Sequence, residues 1–394
     1  MRTNGEGGIV GDRIDTSPSG PSPTDALRRA ALDAPADRVG PVCATEIARR
    51  LGADLVELRL IDRAGRTLRA VGTSGTSAAP RPRRDGDLRP GVVHRDRDRA
   101  DVALAARGVV HGVLTVHGAT GTTDELLVDL AEQTALLLVQ ASRITDLVEL
   151  RRRSTSYSVS AEFGWQLLPP TSVVSDRVRL AAAIEPAPRV ASDLFDWSID
   201  GDRVWVAVVD ARGRSLSAAL PAALTITALR HARRAGLSLA DQVSLADQVV
   251  HDHWRGRAEV AATVLSVDLD ADRAEVVRAG EEPPVLLLRR GGAGGRVWEP
   301  GLPIHEALGC FERSSYRAGS VEVLAGDALL VVSAGGPGVR DAAGRAFGGE
   351  ATGASFGAAE GLAGLPHALI ESWREHGGGE LARDATAVVV DRRA

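Results

Sequence analysis

Residues 203–220 read RVWVAVVDARGRSLSAAL, and this stretch decides how the second half of the chain folds. Its first part is an apolar run that ends at Asp210, which is the pattern of a buried strand. A turn follows, and LSAAL opens a helix of small residues. The order of strand, turn and helix places the Asp210 carboxylate at the end of a strand.

The segments around this stretch extend the same pattern. Helices are predicted at 216–235, 239–254 and 365–376, and GGAGG at 291–295 is predicted to be a mobile hairpin loop. Strands outnumber helices and do not alternate with them, which favours an α+β sandwich over a doubly wound fold. The six further predicted strands are RVRLAAAI (177–184), VAATVLSVD (260–268), AEVVRAG (274–280), PVLLLRR (284–290), DALLVVS (327–333) and ATAVVVD (385–391).

Residues 24–122 predict a separate α+β domain in the first half of the chain. A helix at 39–51 precedes two strands, DLVELRLID and TLRAVG, and a long loop rich in Pro, Gly and charge. VALAARG and VVHGVLTVHG then follow as two more strands. This order indicates an antiparallel sheet with helices on one face. Residues 1–23, rich in Gly, Ser, Pro and Asp, are predicted to be a disordered tail.

Residues 123–170 predict a linker helix that runs to the double proline at 169–170. Thr122 and Glu125 fit a capping box at its start. Apolar positions then repeat at spacings of three and four, which favours a seam that pairs with its twin in a homodimer. Packing of the same face on the chain's own sheet is the alternative. The seam positions are Leu127, Leu130, Thr134, Leu137, Ala141, Ile144 and Val148.

The composition of the 394 residues excludes several classes of protein. The net charge is -5, which argues against nucleic-acid binding, and all 47 basic residues are Arg, so a Schiff-base or P-loop lysine is excluded. Cys43 and Cys310 form neither a disulfide framework nor a metal-ligand cluster, which favours a reducing compartment. The chain shows no secretory signal and no apolar run that could span a membrane. We therefore expect a soluble cytoplasmic protein that binds neither membrane nor nucleic acid.

Three aspartates at predicted element ends are candidates for a metal site. Asp193 lies in RVASDLFDW, Asp210 ends its strand, and Asp384 begins the last strand. Carboxylates at strand ends can converge on a hard cation such as Mg²⁺ or Mn²⁺. Each aspartate taken alone also fits a turn or a helix cap. The spacing by itself leaves both interpretations open.

The order of the motifs resembles a known family. Residues 162–391 are similar to the SpoIIE-like branch of the PPM-type metal-dependent protein phosphatases, and residues 24–122 resemble a GAF sensor domain through ARRLGADLVELRLID and VALAARGVVHGVLTVHG. The resemblance implies a PPM-type α-β-β-α sandwich over residues 171–394. The five matching segments are EFGWQLLPP, Glu185-Pro186 with ASDLFDW, VVDARGRSLSAAL, the hairpin ATVLSVDLDADRAEVVRAGEEPPVLLLRR, and Gly326-Asp327 before LLVVS.

The resemblance implies a reaction and a set of site residues. In the family, two Mg²⁺ or Mn²⁺ ions flank a water that attacks a phosphoserine or phosphothreonine, so no side chain acts as nucleophile. Asp193, Asp210 and the Ala211 carbonyl fall on positions that hold one ion. The matching positions around the metals and the substrate are Asp196, Gly213 and Arg214.

Two departures from the family pattern weaken the second metal position. Where the family has Thr-Asp-Gly, this chain has Ala334 in place of the aspartate. The family's Asp-Asp-x-Thr aligns with residues 383–386, where Arg383 stands in place of the first aspartate and Asp384 remains beside it. Either Arg383 has replaced the ligand or Asp384 serves instead. We expect the Arg383 guanidinium to pair with Asp210 or Asp384.

The resemblance leads to three competing functions. The first is a signal-regulated phosphatase-family protein of bacterial partner switching, which acts on a phosphoserine of an anti-sigma-factor antagonist with one metal ion and a weakened second site. The second is a pseudophosphatase that binds a phosphoprotein or a kinase-like partner without turnover. The third is a ligand sensor with an inert output domain. Whether the chain is an enzyme stays open, and the sequence does not identify the small ligand of the GAF-like domain.

Overall fold

A computed structural model describes most of the chain. The predicted tail lies outside the described residues up to position 21, and so does GGAGG up to position 294. Among the helices that the structure describes, none combines the length and the apolar character that crossing a lipid bilayer requires. The described residues are 22–62, 65–76, 79–82, 89–118, 121–153, 158–185, 192–213, 215–290, 295–359, 361–379 and 381–393.

The N-terminal region, residues 22–153, contains the predicted antiparallel sheet with helices on one face. Its helices bury apolar side chains against β1, β5 and β6 in one core. The elements are α1 (Pro23–Asp33), a 3₁₀ turn (Ala36–Arg38), α2 (Val39–Leu51), β1 (Leu55–Ile61), β2 (Thr67–Thr73), β3 (Arg81–Pro82), β4 (Val93–Asp96), β5 (Arg99–Ala106), β6 (Val109–His117), α3 (Asp124–Ala141) and α4 (Leu147–Arg152).

The C-terminal region, residues 158–393, contains all the strands and helices predicted for it. Its elements are α5 (Val159–Leu167), β7 (Ser172–Val174), β8 (Val178–Glu185), β9 (Asp193–Asp200), β10 (Arg203–Ala211), α6 (Leu216–Arg234), α7 (Leu239–Trp254), β11 (Val260–Asp268), β12 (Arg273–Ala279), β13 (Val285–Arg289), β14 (Arg296–Trp298), β15 (Ile304–His305), β16 (Gly319–Glu322), β17 (Ala328–Val332), α8 (Gly348–Ala358), α9 (Leu365–His376) and β18 (Ala385–Arg392).

The C-terminal region is a sandwich of four layers. One sheet has the order β15-β12-β11-β10-β9, with β16 beside β12, and the other has the order β14-β13-β17-β18-β8. The inner faces of the two sheets form one apolar core. Helices α6 and α7 cover the outer face of the first sheet, and α8 and α9 cover the second. This arrangement confirms the predicted α+β sandwich.

The two regions share a sheet, which the sequence did not predict. Strand β7 pairs with β8 on one side and with β6 on the other, through Val173 opposite Val109. The Val174 amide also donates to the Gly108 carbonyl at 2.9 Å. The second sheet of the sandwich therefore continues into the N-terminal sheet, and together they make twelve strands.

The linker helix predicted for residues 123–170 is not continuous. Helix α3 ends at Ala141, and α4 and α5 are separate helices. The Ser142 hydroxyl donates to the Val139 carbonyl and the Thr145 hydroxyl accepts from the Leu147 amide, so these side chains compete with the helical hydrogen bonds. The described residues from 142 to 153 therefore do not extend α3 as one straight helix.

The seam itself packs within the chain. Leu127, Leu130, Leu137 and Ala141 belong to the core of the N-terminal region, whereas Ile144 is 74% exposed. This is the alternative of intramolecular packing that the sequence left open. The homodimer and the domain boundaries at residues 23, 122 and 170 stay predictions, as does the GAF-like character of the first domain.

Candidate functional site

Two of the predicted carboxylates face each other on neighbouring strands. Strand β10 pairs with β9 in antiparallel register, and this register places Asp210 directly opposite Asp193. Strand β9 begins at Asp193 and β10 ends one residue after Asp210, so both residues lie at the same edge of the sheet. The two side chains lie at the rim of the sandwich, with exposures of only 5% and 3%.

Asp384 reaches the same rim from the opposite sheet, just before β18. Its Oδ2 atom accepts hydrogen bonds from the Ser192 amide at 2.5 Å and from the Asp193 amide at 3.3 Å. The Ser192 hydroxyl donates to the same oxygen at 3.3 Å. Asp384 therefore fixes the backbone at the start of β9 and joins the two sheets at the site.

Asp193 is almost fully buried within the cluster. Burial raises its pKa well above the ordinary value, and the nearby charges of Asp210 and Asp384 raise it further. Hydrogen bonds donated by the hydroxyls of Ser333 and Thr386 oppose this rise, the second at 3.0 Å. The site thus holds a carboxyl group that keeps a proton more readily than an ordinary aspartate.

Asp210 has a cation beside it. Burial raises its pKa, but the Arg383 guanidinium opposes that rise through its charge and a hydrogen bond of 2.9 Å to Oδ2. The Ala334 amide and the Asp193 carboxyl also donate to Asp210. The ion pair between Arg383 and Asp210 that we expected from the sequence is present.

These residues do not fit a centre with two metal ions. Ala334 brings only its backbone amide to Asp210, where the family pattern has a carboxylate. Arg383 places a positive charge against the same carboxylate. Across the described ranges, no group of three or more His, Cys, Asp and Glu side chains is arranged to hold a metal ion. The cluster therefore consists of buried carboxylates with the Arg383 guanidinium beside them.

The other predicted site residues lie apart from this cluster. Asp196 is three positions after Asp193, so its side chain points to the opposite face of β9. There it forms ion pairs with Arg230 at 2.8 Å and Arg233 at 3.5 Å under α6. Gly213 is exposed and borders the cleft beside Asp210. Arg214 lies outside the described residues.

The sequence analysis did not predict three residues that form hydrogen bonds with the carboxylates of the cluster. Ser192, Ser333 and Thr386 hold the carboxylates through hydrogen bonds. Each lies within a motif that the sequence analysis singled out, and this position was the signal that could have identified it. Ser333 and Thr386 are also tied to each other, because the Thr386 amide donates to the Ser333 hydroxyl at 2.9 Å.

The cluster opens into a cleft of about 1230 Å³. Asp210, the Ala211 backbone and Arg383 line its floor, and Arg383 is 56% exposed there. The wall carries charges of both signs. The charged residues of the wall are Arg212, Glu259, Glu281, Glu282, Glu306 and Arg313.

The comparisons with known proteins point to one family. Residues 200–393 match the family model described as Stage II sporulation protein E (SpoIIE). No curated protein sequence matches the chain.

Two similar solved structures are phosphatase domains, and a third contains RsbU and RsbW domains. The RsbU and RsbW domains of Rv1364c from Mycobacterium tuberculosis are 25% identical, with 61% of this chain and 64% of that chain covered and a TM-score of 0.48. The PP2C phosphatase domain and a regulatory fragment of SpoIIE from Bacillus subtilis are 17% identical, with coverages of 55% and 64% and a TM-score of 0.46. The catalytic domain of the phosphatase PstP, in complex with two manganese ions, is 19% identical, with coverages of 55% and 99% and a TM-score of 0.43.

The chain spans less than two thirds of the Rv1364c and SpoIIE structures, at 64% of each. The family assignment therefore rests on the match over residues 200–393, which confirms the resemblance found in the motifs. Residues 200–393 therefore form a SpoIIE-like domain within the chain.

Proposed function

We propose that this chain is a signal-regulated SpoIIE-family protein of bacterial partner switching, with weak phosphatase activity. Its target is a phosphoserine on an anti-sigma-factor antagonist, and the N-terminal region receives the signal, with a small ligand as its input. The observation that carries this proposal is the ion pair of 2.9 Å between Arg383 and Asp210 at the floor of the cleft.

The ion pair explains why hydrolysis is expected to be weak. A guanidinium neutralises a carboxylate but cannot lower the pKa of a bound water as a divalent cation does. The donors left for a single Mg²⁺ or Mn²⁺ are Asp193, Asp210 and the Ala211 carbonyl. Mg²⁺ is often held by only one or two carboxylates, so this set suits one ion if Arg383 moves aside.

The cleft supports recognition of a phosphoryl group. Arg383 borders the cleft and is more than half exposed, so its guanidinium is available to a phosphate of the partner. Glu281, Glu282 and Glu306 lie on the same wall and would repel an acidic segment. We therefore expect the phosphoserine to sit in a segment with neutral or basic neighbours.

A pseudophosphatase is the second candidate, and the same ion pair favours it. If Arg383 stays on Asp210 when the partner binds, the cleft recognises the phosphoserine without cleaving its ester. Ala334 supports this candidate as well, because it removes a carboxylate from the position beside Asp210. The two candidates share the partner and differ only in turnover.

Phosphate release separates the two candidates. The substrate is a phosphorylated anti-sigma-factor antagonist with Mn²⁺, and the variants are Asp210→Asn and the double variant Ala334→Asp/Arg383→Asp. We expect slow release by the unmodified chain, none above background with Asp210→Asn, and faster release with the double variant. Binding of the phosphorylated and unphosphorylated partner is measured in parallel.

Each outcome assigns one function. Release by the unmodified chain that disappears in Asp210→Asn supports the phosphatase. No release by the unmodified chain, with phosphate-dependent binding and activity restored in the double variant, supports the pseudophosphatase. If the chain neither releases phosphate nor distinguishes the two forms of the partner, both proposals are wrong and an inert output domain remains.

A further inference from the structure

One arginine of the N-terminal region makes ion pairs with the sandwich. Arg66 Nη1 lies 2.9 Å from Glu185 Oε2 and 3.5 Å from Glu371 Oε1. The Arg66 and Glu185 side chains are half-buried, with exposures of 31% and 18%. Partial burial makes this pair stronger than a fully exposed ion pair.

The turn that carries Arg66 is held in place from both sides. The Asp62 carboxylate accepts from the Arg66 amide at 2.7 Å and from the Thr67 hydroxyl at 2.7 Å. On the other side, Gly65 adopts a φ of +72°, and a Cβ there would lie 2.0 Å from the His367 ring of α9. The turn therefore packs directly against the sandwich and presents Arg66 in a fixed position.

Glu185, the partner of Arg66, is adjacent to the carboxylate cluster. It is the last residue of β8, and the pairing of β8 with β18 places it opposite Ala385. Ala385 directly follows Arg383 and Asp384, which precede β18 and belong to the site. A displacement of Glu185 thus moves its strand partner Ala385, and with it the segment that carries Arg383 and Asp384.

The second contact of Arg66 leads to the same strand. Glu371 lies on α9, whose buried residues Leu369, Ile370 and Trp373 pack in one core with Ala385 and Ala387 of β18. Arg66 therefore holds β18 through the neighbouring strand and through the helix that covers it.

We propose that Arg66 is a positioning residue through which the N-terminal region sets the geometry of the carboxylate cluster. This inference rests on the proposed function, since it names how the site is regulated. With the Arg66–Glu185 ion pair formed, residues 383–386 stay in the position in which Arg383 meets Asp210. A signal that moves the β1–β2 turn breaks the ion pair and loosens this segment.

Hydrogen exchange of the full chain tests the proposal. The readout is exchange at the Ser192 and Thr386 amides, which bond to the Asp384 carboxylate and the Ser333 hydroxyl. We expect Arg66→Gln and Glu185→Gln each to speed exchange there about fivefold, and the double variant to add nothing further. Arg66→Lys should restore the slow exchange, because a single Arg66 nitrogen makes the contact and an ammonium can replace it.

Arg179 provides the matched control. It lies on β8 opposite Asp391 of β18, at the far end of the same strand pair, with an exposure of 30% and an ion pair of 3.7 Å. Arg179→Gln should leave exchange at Ser192 and Thr386 unchanged. The proposal is wrong if Arg66→Gln leaves it unchanged too, or if Arg179→Gln speeds it equally. Exchange does not depend on turnover, so a chain without phosphatase activity still gives an answer.

Discussion

At Asp210, a guanidinium and a metal ion would compete for one carboxylate. Arg383 already contributes a charge-assisted hydrogen bond to Oδ2. The pKa of Asp210 is raised by burial even with this partner, so an unpaired Asp210 would be costly to ionise. Arg383 is thus a built-in counter-ion that stabilises the site when no metal is bound.

Removal of Arg383 should therefore raise the affinity for Mn²⁺. We expect Arg383→Ala to bind Mn²⁺ about tenfold more tightly than the unmodified chain, since a hydrogen bond to a charged group contributes about 1.5–3 kcal/mol. Isothermal titration calorimetry measures the affinity. Arg212→Ala is the control, because Arg212 borders the same cleft but pairs with Glu259 at 2.6 Å. Equal affinities for all three proteins would show that Arg383 does not compete with the metal.

The contacts of this site were only partly predictable from the sequence. The Arg383–Asp210 pair was predictable, because Arg383 stands in place of a carboxylate in a motif whose partner residues were recognised. The contact between Asp384 and the Ser192 amide was not, since it joins strands from two sheets across 192 residues. Asp196 was predicted to lie around the metals or the substrate, whereas a spacing of three along a strand turns its side chain to the opposite face of β9, toward Arg230.

Among the elements, α3 has a periodic pattern that predicts the helix but does not identify the surface against which it packs. The spacing of three and four identified the helix, and the same spacing suits a dimer seam or a packed core helix. The core of the N-terminal region takes up Leu127, Leu130 and Leu137.

Strand β9 was missed altogether, because DLFDWSID contains three aspartates and strands are poor in Asp. Its pairing with β10 decides its conformation.

Two substitutions separate the core role of α3 from a seam role. Leu130→Ala should lower the free energy of unfolding by about 2–4 kcal/mol, because its side chain is fully buried. Ile144→Ala should change it by less than about 0.5 kcal/mol, because Ile144 lies past the end of the helix and is exposed. Urea denaturation followed by circular dichroism measures both. A large loss for Ile144→Ala that depends on protein concentration would instead support the dimer seam.

At the scale of the whole molecule, the two regions meet along β6 and β7 as well as at the turn that carries Arg66. The junction consists of one residue pair, Val109 with Val173, and the bond between Val174 and Gly108. A three-residue strand carries too little pattern to be recognised in a sequence. The strands on either side were recognised, so the sequence predicted both sheets but not their union.

Gly108 should be essential to this junction. Its φ is +77°, and an added Cβ would lie 2.1 Å from the Val174 carbonyl oxygen. We expect Gly108→Ala to lower the melting temperature and to speed exchange at the Val174 amide, because the two strands must separate. Gly201→Ala is the matched control, since Gly201 has a φ of +60° but no atom within 4 Å of the added Cβ. It should show only the strain of a left-handed alanine, about 1–2 kcal/mol. Equal effects of the two substitutions would mean that the junction is not tight.

The shared sheet also has a consequence for dividing the protein. A cut between the N-terminal region and β7 would leave β6 paired with β1 and β5, but it would remove the pair of Val109 with Val173 that joins the two sheets. Strand β7 would then become the edge strand of the separated sandwich, and an exposed edge is a template for association with other strands. The separated sandwich is therefore expected to aggregate through β7, or to bind the N-terminal piece again when the two are mixed.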